Sequence, residues 1–261
     1  MTELRCAAAA TVQCAGVPIA ALSRQEAAEL VVQVALDVAG SSAGRGMDVH
    51  LCNAYTLALA DDQAPLLDLL RHASLNFPDG MSVVWANRLR HRDTDLPGER
   101  VYGPDLFLDV MDIARTAGLR HYLLGATPDV VGSLRNELVQ RFPGVEIVGA
   151  ESPPFRPLTC DELAAQDDRV RGSGAHIVWV GLGTPKQDWE CARLAGSLPV
   201  VCVAVGAAFD FVAGNKAQAP QWMQHNGLEW AYRLGSEPRR LWKRYLFGNA
   251  RFVWAAARRR D

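Results

Sequence analysis

Short β-branched runs alternate along this chain with longer stretches whose apolar residues recur at helical spacing, and that alternation leaves few folds open. Val49–Cys52, Leu75–Phe77, Arg120–Leu124, Val145–Val148, Ala175–Val180 and Val200–Val205 read as strands. Arg24–Val38, Asp105–Thr116, Pro128–Arg141, Cys160–Arg171 and Pro185–Leu194 read as helices. Strands separated by crossover helices build a parallel sheet covered on its faces. The expectation is therefore an α/β, Rossmann-like, mostly parallel sheet with helices on both faces, spanning residues 1–232. Ser23 and Thr127 stand where N-caps belong, and Gly118 where a helix should end. Arg90–Pro104, rich in charge, Pro and Gly, and Ser152–Leu158, with three prolines, are expected to be loops.

At 261 residues and 49% hydrophobic, the chain can bury a core without metal or disulfide staples. Its six cysteines are scattered, none at C-x-x-C spacing, and read as reduced and structural, which points to the cytosol. The first residues match a signal peptide poorly, and the strongest apolar run, Leu198–Phe209, falls short of the roughly 20 residues that cross a bilayer.

Charge is balanced overall at −2 but not along the chain. From Arg233 onward nine basic residues face two acidic ones, so residues 233–261 carry +7 and the remainder −9. This basic, aromatic-rich C-terminal appendage is expected to hold an amphipathic helix after Pro238, with Leu241 and Tyr245 on one face and Trp242 and Leu246 on another. Such a helix can lie on an anionic membrane, fork its arginines onto a diphosphate, or simply pack on the body. The acidic body argues against nucleic acid as a partner.

In open α/β sheets ligands bind beyond the carboxyl ends of strands, so those positions carry the chemistry. Asp79, in Pro78-Asp79-Gly80, is either a turn or cap residue for a helix Met81–Arg90, or a general base projecting from a tight turn. Asn53, in Cys52-Asn53-Ala54, has the same two readings. Gly181-Leu182-Gly183-Thr184-Pro185-Lys186-Gln187 lacks the third glycine of a dinucleotide fingerprint and is not a Walker loop. It is a plain strand-to-helix turn, or one that holds a phosphorylated ligand through backbone N–H groups. Gly206 to Gly214 places small residues and Asp210 after the most apolar strand, where Asp210 pairs locally or meets a sugar hydroxyl or a base N–H.

Taken in order, these runs resemble the bacterial WecG/TagA/CpsF glycosyltransferase family from about Gly16 to Phe252. The matching parts are Asn53 with Ala54-Tyr55-Thr56, Pro78-Asp79-Gly80-Met81, Arg100-Val101 with Gly103 and Asp105, Gly181 to Gln187, Gly206 to Asp210, Ala219-Pro220, Gly227-Leu228-Glu229-Trp230 and Glu237-Pro238-Arg239-Arg240. The resemblance implies an inverting transferase that needs no metal or other cofactor. It would move an N-acetylmannosamine-type or related sugar from a UDP donor to a polyprenyl-diphosphate-linked sugar, peripherally on the cytoplasmic face of the cell membrane. It further implies Asp79 as base with Asn53 beside it, substrate contacts from Arg100, Gly125, Gly183, Lys186, Gln187, Gly206 and Asp210, and diphosphate and membrane contacts from Arg233, Arg239 and Arg240. Self-association is also in keeping with it. The chain departs from the family pattern at Leu51, at Gln218 and in Ser152-Pro153-Pro154-Phe155, so contacts assigned to those positions do not carry over. Two other readings fit parts of the pattern: a nucleotide-dependent oxidoreductase, motivated by glycine turns after strands, and a non-catalytic lipid- or nucleic-acid-binding module, motivated by the basic tail.

Overall fold

The computed structural model describes residues 9–41 and 44–259, apart from the side chains of His225, Arg240, Lys243 and Arg244. In chain order the elements begin with β1 (Thr11–Cys14), β2 (Val17–Ala20), α1 (Arg24–Ala39), β3 (Met47–Cys52), α2 (Ala54–Asp62), α3 (Ala64–His72), β4 (Leu75–Pro78), α4 (Met81–Arg90) and α5 (Gly103–Thr116). They continue with β5 (Arg120–Gly125), α6 (Pro128–Arg141), β6 (Glu146–Glu151), α7 (Cys160–Ser173), β7 (Ile177–Gly181), α8 (Lys186–Ser197) and β8 (Val201–Ala204). The last four are α9 (Ala208–Val212), α10 (Gln221–His225), α11 (Glu229–Ser236) and α12 (Pro238–Arg258).

All six strands read from the sequence are present, and they form one parallel sheet in the order β4-β3-β8-β7-β5-β6. Thr127 caps α6 by accepting from the Val130 N–H, and Gly118 adopts a φ of 65° just past α5, as a terminating glycine should. The Ser152–Leu158 segment is irregular, whereas the loop after α4 ends at Tyr102 because Gly103 and Pro104 already open α5. The antiparallel hairpin β1–β2 and the helices α2, α3, α9, α10 and α11 are additions to the sequence reading.

The described residues divide into two compact units. The first comprises Gln25–His50 and Gly103–Lys216. Its central strands β7 and β8 are buried on both faces, as the continuous apolar runs of a parallel sheet require. Alternate residues serve opposite faces: Val178 and Val180 pack with Val170 of α7 and Cys191 and Leu194 of α8. On the other side Trp179 meets the Phe107 ring of α5 edge-on at 4.7 Å. Phe209 of α9 in turn lies 5.7 Å from Phe107.

The second unit comprises Ala9–Arg24, Leu51–Tyr102 and residues 217–259. Its core joins Cys14, Val17 and Ile19 of the hairpin to Leu57 and Ala58 of α2, Leu66 and Leu70 of α3 and Val83 of α4. Phe252 and Ala255 of α12 belong to the same cluster, 4% and 0% exposed. Three arginines of α12 and its end hold that helix to α2: Arg258 and Arg259 reach Asp61 at 2.8 and 2.7 Å, and Arg251 reaches Asp62 at 2.6 Å. Burial would raise the Asp61 carboxyl, but the hydrogen bonds from Arg259 and Arg258 hold it below its ordinary value. Of the cysteines, Cys14, Cys52, Cys191 and Cys202 are buried thiols and Cys160 is an exposed one; Cys6 lies outside the described residues.

Candidate active site

In the second unit β4 ends at Pro78, and the next residue, Asp79, donates its backbone N–H to the Cys52 carbonyl at 3.0 Å. The cap position of α4 belongs to Gly80, whose carbonyl accepts from Val83 and Val84. The cap role weighed for Asp79 is therefore filled by its neighbour. Asn53, at the end of β3, does cap its helix: its Oδ1 accepts from the Tyr55 and Thr56 N–H groups at 3.1 and 3.2 Å. Because those donors fix the oxygen, the other end of the amide must be the donor, and Nδ2 lies 3.2 Å from Asp79 Oδ2. One side chain thus starts α2 and orients the carboxylate.

Asp79 and Asn53 line a cleft of about 1010 Å³ within this unit. Its lining divides by chemistry. Arg100, Tyr102, Glu229 and Arg233 add charge and hydrogen-bonding groups to the Asp79–Asn53 pair. Met81, Trp85 and Leu89, at four-residue spacing along α4, and Phe252, Val253 and Ala256 of α12 supply an apolar wall. Gly227 keeps that wall close: with φ at +67°, a Cβ there would sit 2.5 Å from the Trp85 ring.

Glu229 was quoted in the sequence only as part of a motif, yet it is the hub of the polar lining. Arg100 Nη1 donates to its Oε2 at 2.6 Å, and the Tyr102 hydroxyl donates to Oε1 at 3.0 Å. Arg233, one turn further along α11, is 3.7 Å from Oε1. Arg100 also donates to Gln224 Oε1 at 3.2 Å and stacks over the Tyr102 ring at 3.8 Å. Burial first, then the charges of Glu229 and Asp79, push the Tyr102 hydroxyl well above its ordinary range, so it remains a proton donor. The available sequence signal was a lone acid one helical turn before Arg233 at the edge of a strongly basic tail.

Gly125, Gly183, Lys186, Gln187, Gly206 and Asp210 lie in the first unit, around the carboxyl ends of β5, β7 and β8. Gly125 closes β5 with φ at +136°, and a Cβ there would fall 2.5 Å from the Gly181 carbonyl oxygen. Gln187, buried at the start of α8, accepts from the Gly183 N–H at 3.1 Å. The same amide lies 3.7–3.8 Å from where a Cβ on Gly206 would be, so one side chain serves two strand-end turns. Lys186 beside it is exposed. Asp210 takes the local option, pairing with Lys216 at 3.6 Å. Arg239 is exposed on α12 and does not line the cleft, and the Arg240 side chain lies outside the described residues.

Among the described residues, no group of three or more His, Cys, Asp or Glu side chains is placed to hold a metal ion. Nor is any described helix long and apolar enough to cross a membrane. The sequence matches the glycosyl transferase WecG/TagA/CpsF family over residues 12–261, nearly its whole length, and every stretch that lines the cleft or closes the strand ends falls inside that match. The chain therefore belongs to the WecG/TagA/CpsF family of glycosyltransferases, enzymes of cell-surface polysaccharide synthesis.

Proposed function

We propose that this glycosyltransferase inverts its donor sugar in a single displacement, with Asp79 as general base. The acceptor hydroxyl oxygen attacks the anomeric carbon of a UDP-sugar of the N-acetylmannosamine type, the bond from that carbon to the diphosphate oxygen breaks, and the hydroxyl proton passes to the Asp79 carboxylate. UDP departs with the bonding electron pair. No covalent enzyme intermediate and no metal enter this scheme; arginine supplies the positive charge that steadies the diphosphate. The observation that carries the reading is the Asn53–Asp79 pair, set at 3.2 Å on two strand ends inside a cleft that also contains arginines and an apolar wall.

The apolar lining supports a lipid-linked acceptor, a polyprenyl diphosphate bearing the sugar to be extended. The resemblance also implies substrate contacts at Gly125, Gly183 to Gln187 and Gly206, the strand-end turns of the first unit. Membrane attachment on the cytoplasmic face is assigned to α12, where Phe247 and Trp254 are 63% and 64% exposed next to arginines. The deciding assay measures UDP release from a panel of UDP-sugars with a short-chain lipid-diphosphate acceptor, with and without EDTA. Acceptor-dependent, EDTA-resistant release is expected, and Asp79→Asn should lower turnover by about 10²–10⁴-fold while UDP binding persists. Normal turnover in that variant would refute the base assignment, and EDTA-sensitive release the metal-free scheme.

A further inference from the structure

We propose that Glu229 is a positioning residue for this cleft: its carboxylate sets Arg100, Tyr102 and Arg233 in place. The inference rests on the proposed transfer reaction. Glu229 is 7% exposed, and a carboxylate so buried is stable only when compensated. Both oxygens are engaged, Oε2 by Arg100 and Oε1 by the Tyr102 hydroxyl, with Arg233 beyond. Arg100 and Tyr102 precede α5 in the chain, whereas Glu229 and Arg233 sit on α11. Gln224 adds a second tie from the C-terminal segment to Arg100, and its own Nε2 donates to the Ala219 carbonyl at 2.8 Å.

The arrangement does more than join two stretches of backbone. A guanidinium held by Glu229, by Gln224 and by the Tyr102 ring has little rotamer freedom left, so it meets a ligand already oriented. Tyr102 is held as a donor close enough to Asp79 for that charge to act on its hydroxyl. Removing the Glu229 charge would loosen Arg100 and unseat the Tyr102 hydroxyl beside the base.

The test compares wild type with Glu229→Gln, Glu229→Asp and Tyr102→Phe by steady-state kinetics, melting and amide hydrogen exchange. Glu229→Gln should lower kcat by at least about 10-fold. Glu229→Asp, which keeps the charge, should recover part of the loss, and Tyr102→Phe, which deletes one donor, should fall between. Exchange should quicken in residues 96–102 and 221–236 together. A kcat for Glu229→Gln within twofold of wild type would overturn the proposal, as would unchanged exchange in either stretch. If Glu229→Gln does not fold, Tyr102→Phe decides, and wild-type kcat there overturns it. A wild type silent toward every donor would instead overturn the transfer reading itself, while exchange still reports whether Glu229 ties the two stretches.

Discussion

Raising the pH through 9 should cost this fold about 3 kcal/mol through one buried histidine. His50, on β3, is 0% exposed, with Nδ1 3.0 Å from Asp188 Oδ1 and Nε2 2.9 Å from Asp48 Oδ2. Both ring nitrogens face carboxylates, and only the imidazolium can donate from both at once. Burial works against that charge, but the hydrogen bonds to Asp188 and Asp48 prevail and raise the pKa from 6.5 to about 9. Because the folded value lies above the unfolded one, the contribution is complete below pH 6.5 and disappears as the pH rises through about 9. The difference between 6.5 and about 9, at roughly 1.4 kcal/mol for each pH unit, gives roughly 3 kcal/mol. Urea titrations of wild type and His50→Gln at about pH 6, 7.5 and 9.5 read this directly. The variant should be weaker at about pH 6 by roughly 3–5 kcal/mol, because two carboxylates then share a neutral amide, and it should lack the alkaline decline. Equal pH slopes in the two proteins would refute the reasoning.

Two further substitutions probe what holds the site in place. Gly125→Ala would put a methyl group 2.5 Å from the Gly181 carbonyl oxygen at a φ of +136°, so stability should fall by more than about 2 kcal/mol; an unchanged melting temperature would show that the β5–β7 ends can separate freely. Phe252→Ala empties a position 4% exposed in the core that α12 shares with α2 and the hairpin, and urea unfolding should register a loss of about 3–5 kcal/mol; a loss below 1 kcal/mol would mean that α12 does not share that core.

The sheet was legible because a parallel strand buried on both faces is written as an unbroken apolar run, and β7 and β8 are such runs. β1 and β2 are four residues each, too short for alternation to stand out, and they were missed. The helix α2 has apolar residues on most sides, so its periodicity is weak, and only its cap, Asn53, marked it. At the site, Asp79 and the glycine turns were visible because each sits in a short local signature, Pro78-Asp79-Gly80 and Gly181 to Gln187. Glu229 was not, since its partners Arg100 and Tyr102 lie 129 and 127 residues away. Asn53 was misjudged in a different way: cap and functional residue were posed as alternatives, but an amide has an accepting and a donating end, and this one uses both.

The basic tail shows how far a sum of charges can mislead. Residues 233–261 carry +7, a sum that by itself points to an anionic surface. Yet Arg258 and Arg259 close on Asp61, Arg251 on Asp62, and Arg233 lies against Glu229, so four of the five tail cations whose side chains are described already face carboxylates of the same unit. What those pairs secure is the seat of α12, whose Phe252 and Ala255 complete a core begun by the hairpin and α2. The same helix turns Leu246, Phe247 and Trp254 outward, each more than 60% exposed, an apolar surface that water does not favour. The proposed attachment to a membrane through α12 therefore rests on apolar burial more than on the tail's charge, and high salt should weaken it less than a polybasic segment of +7 would predict.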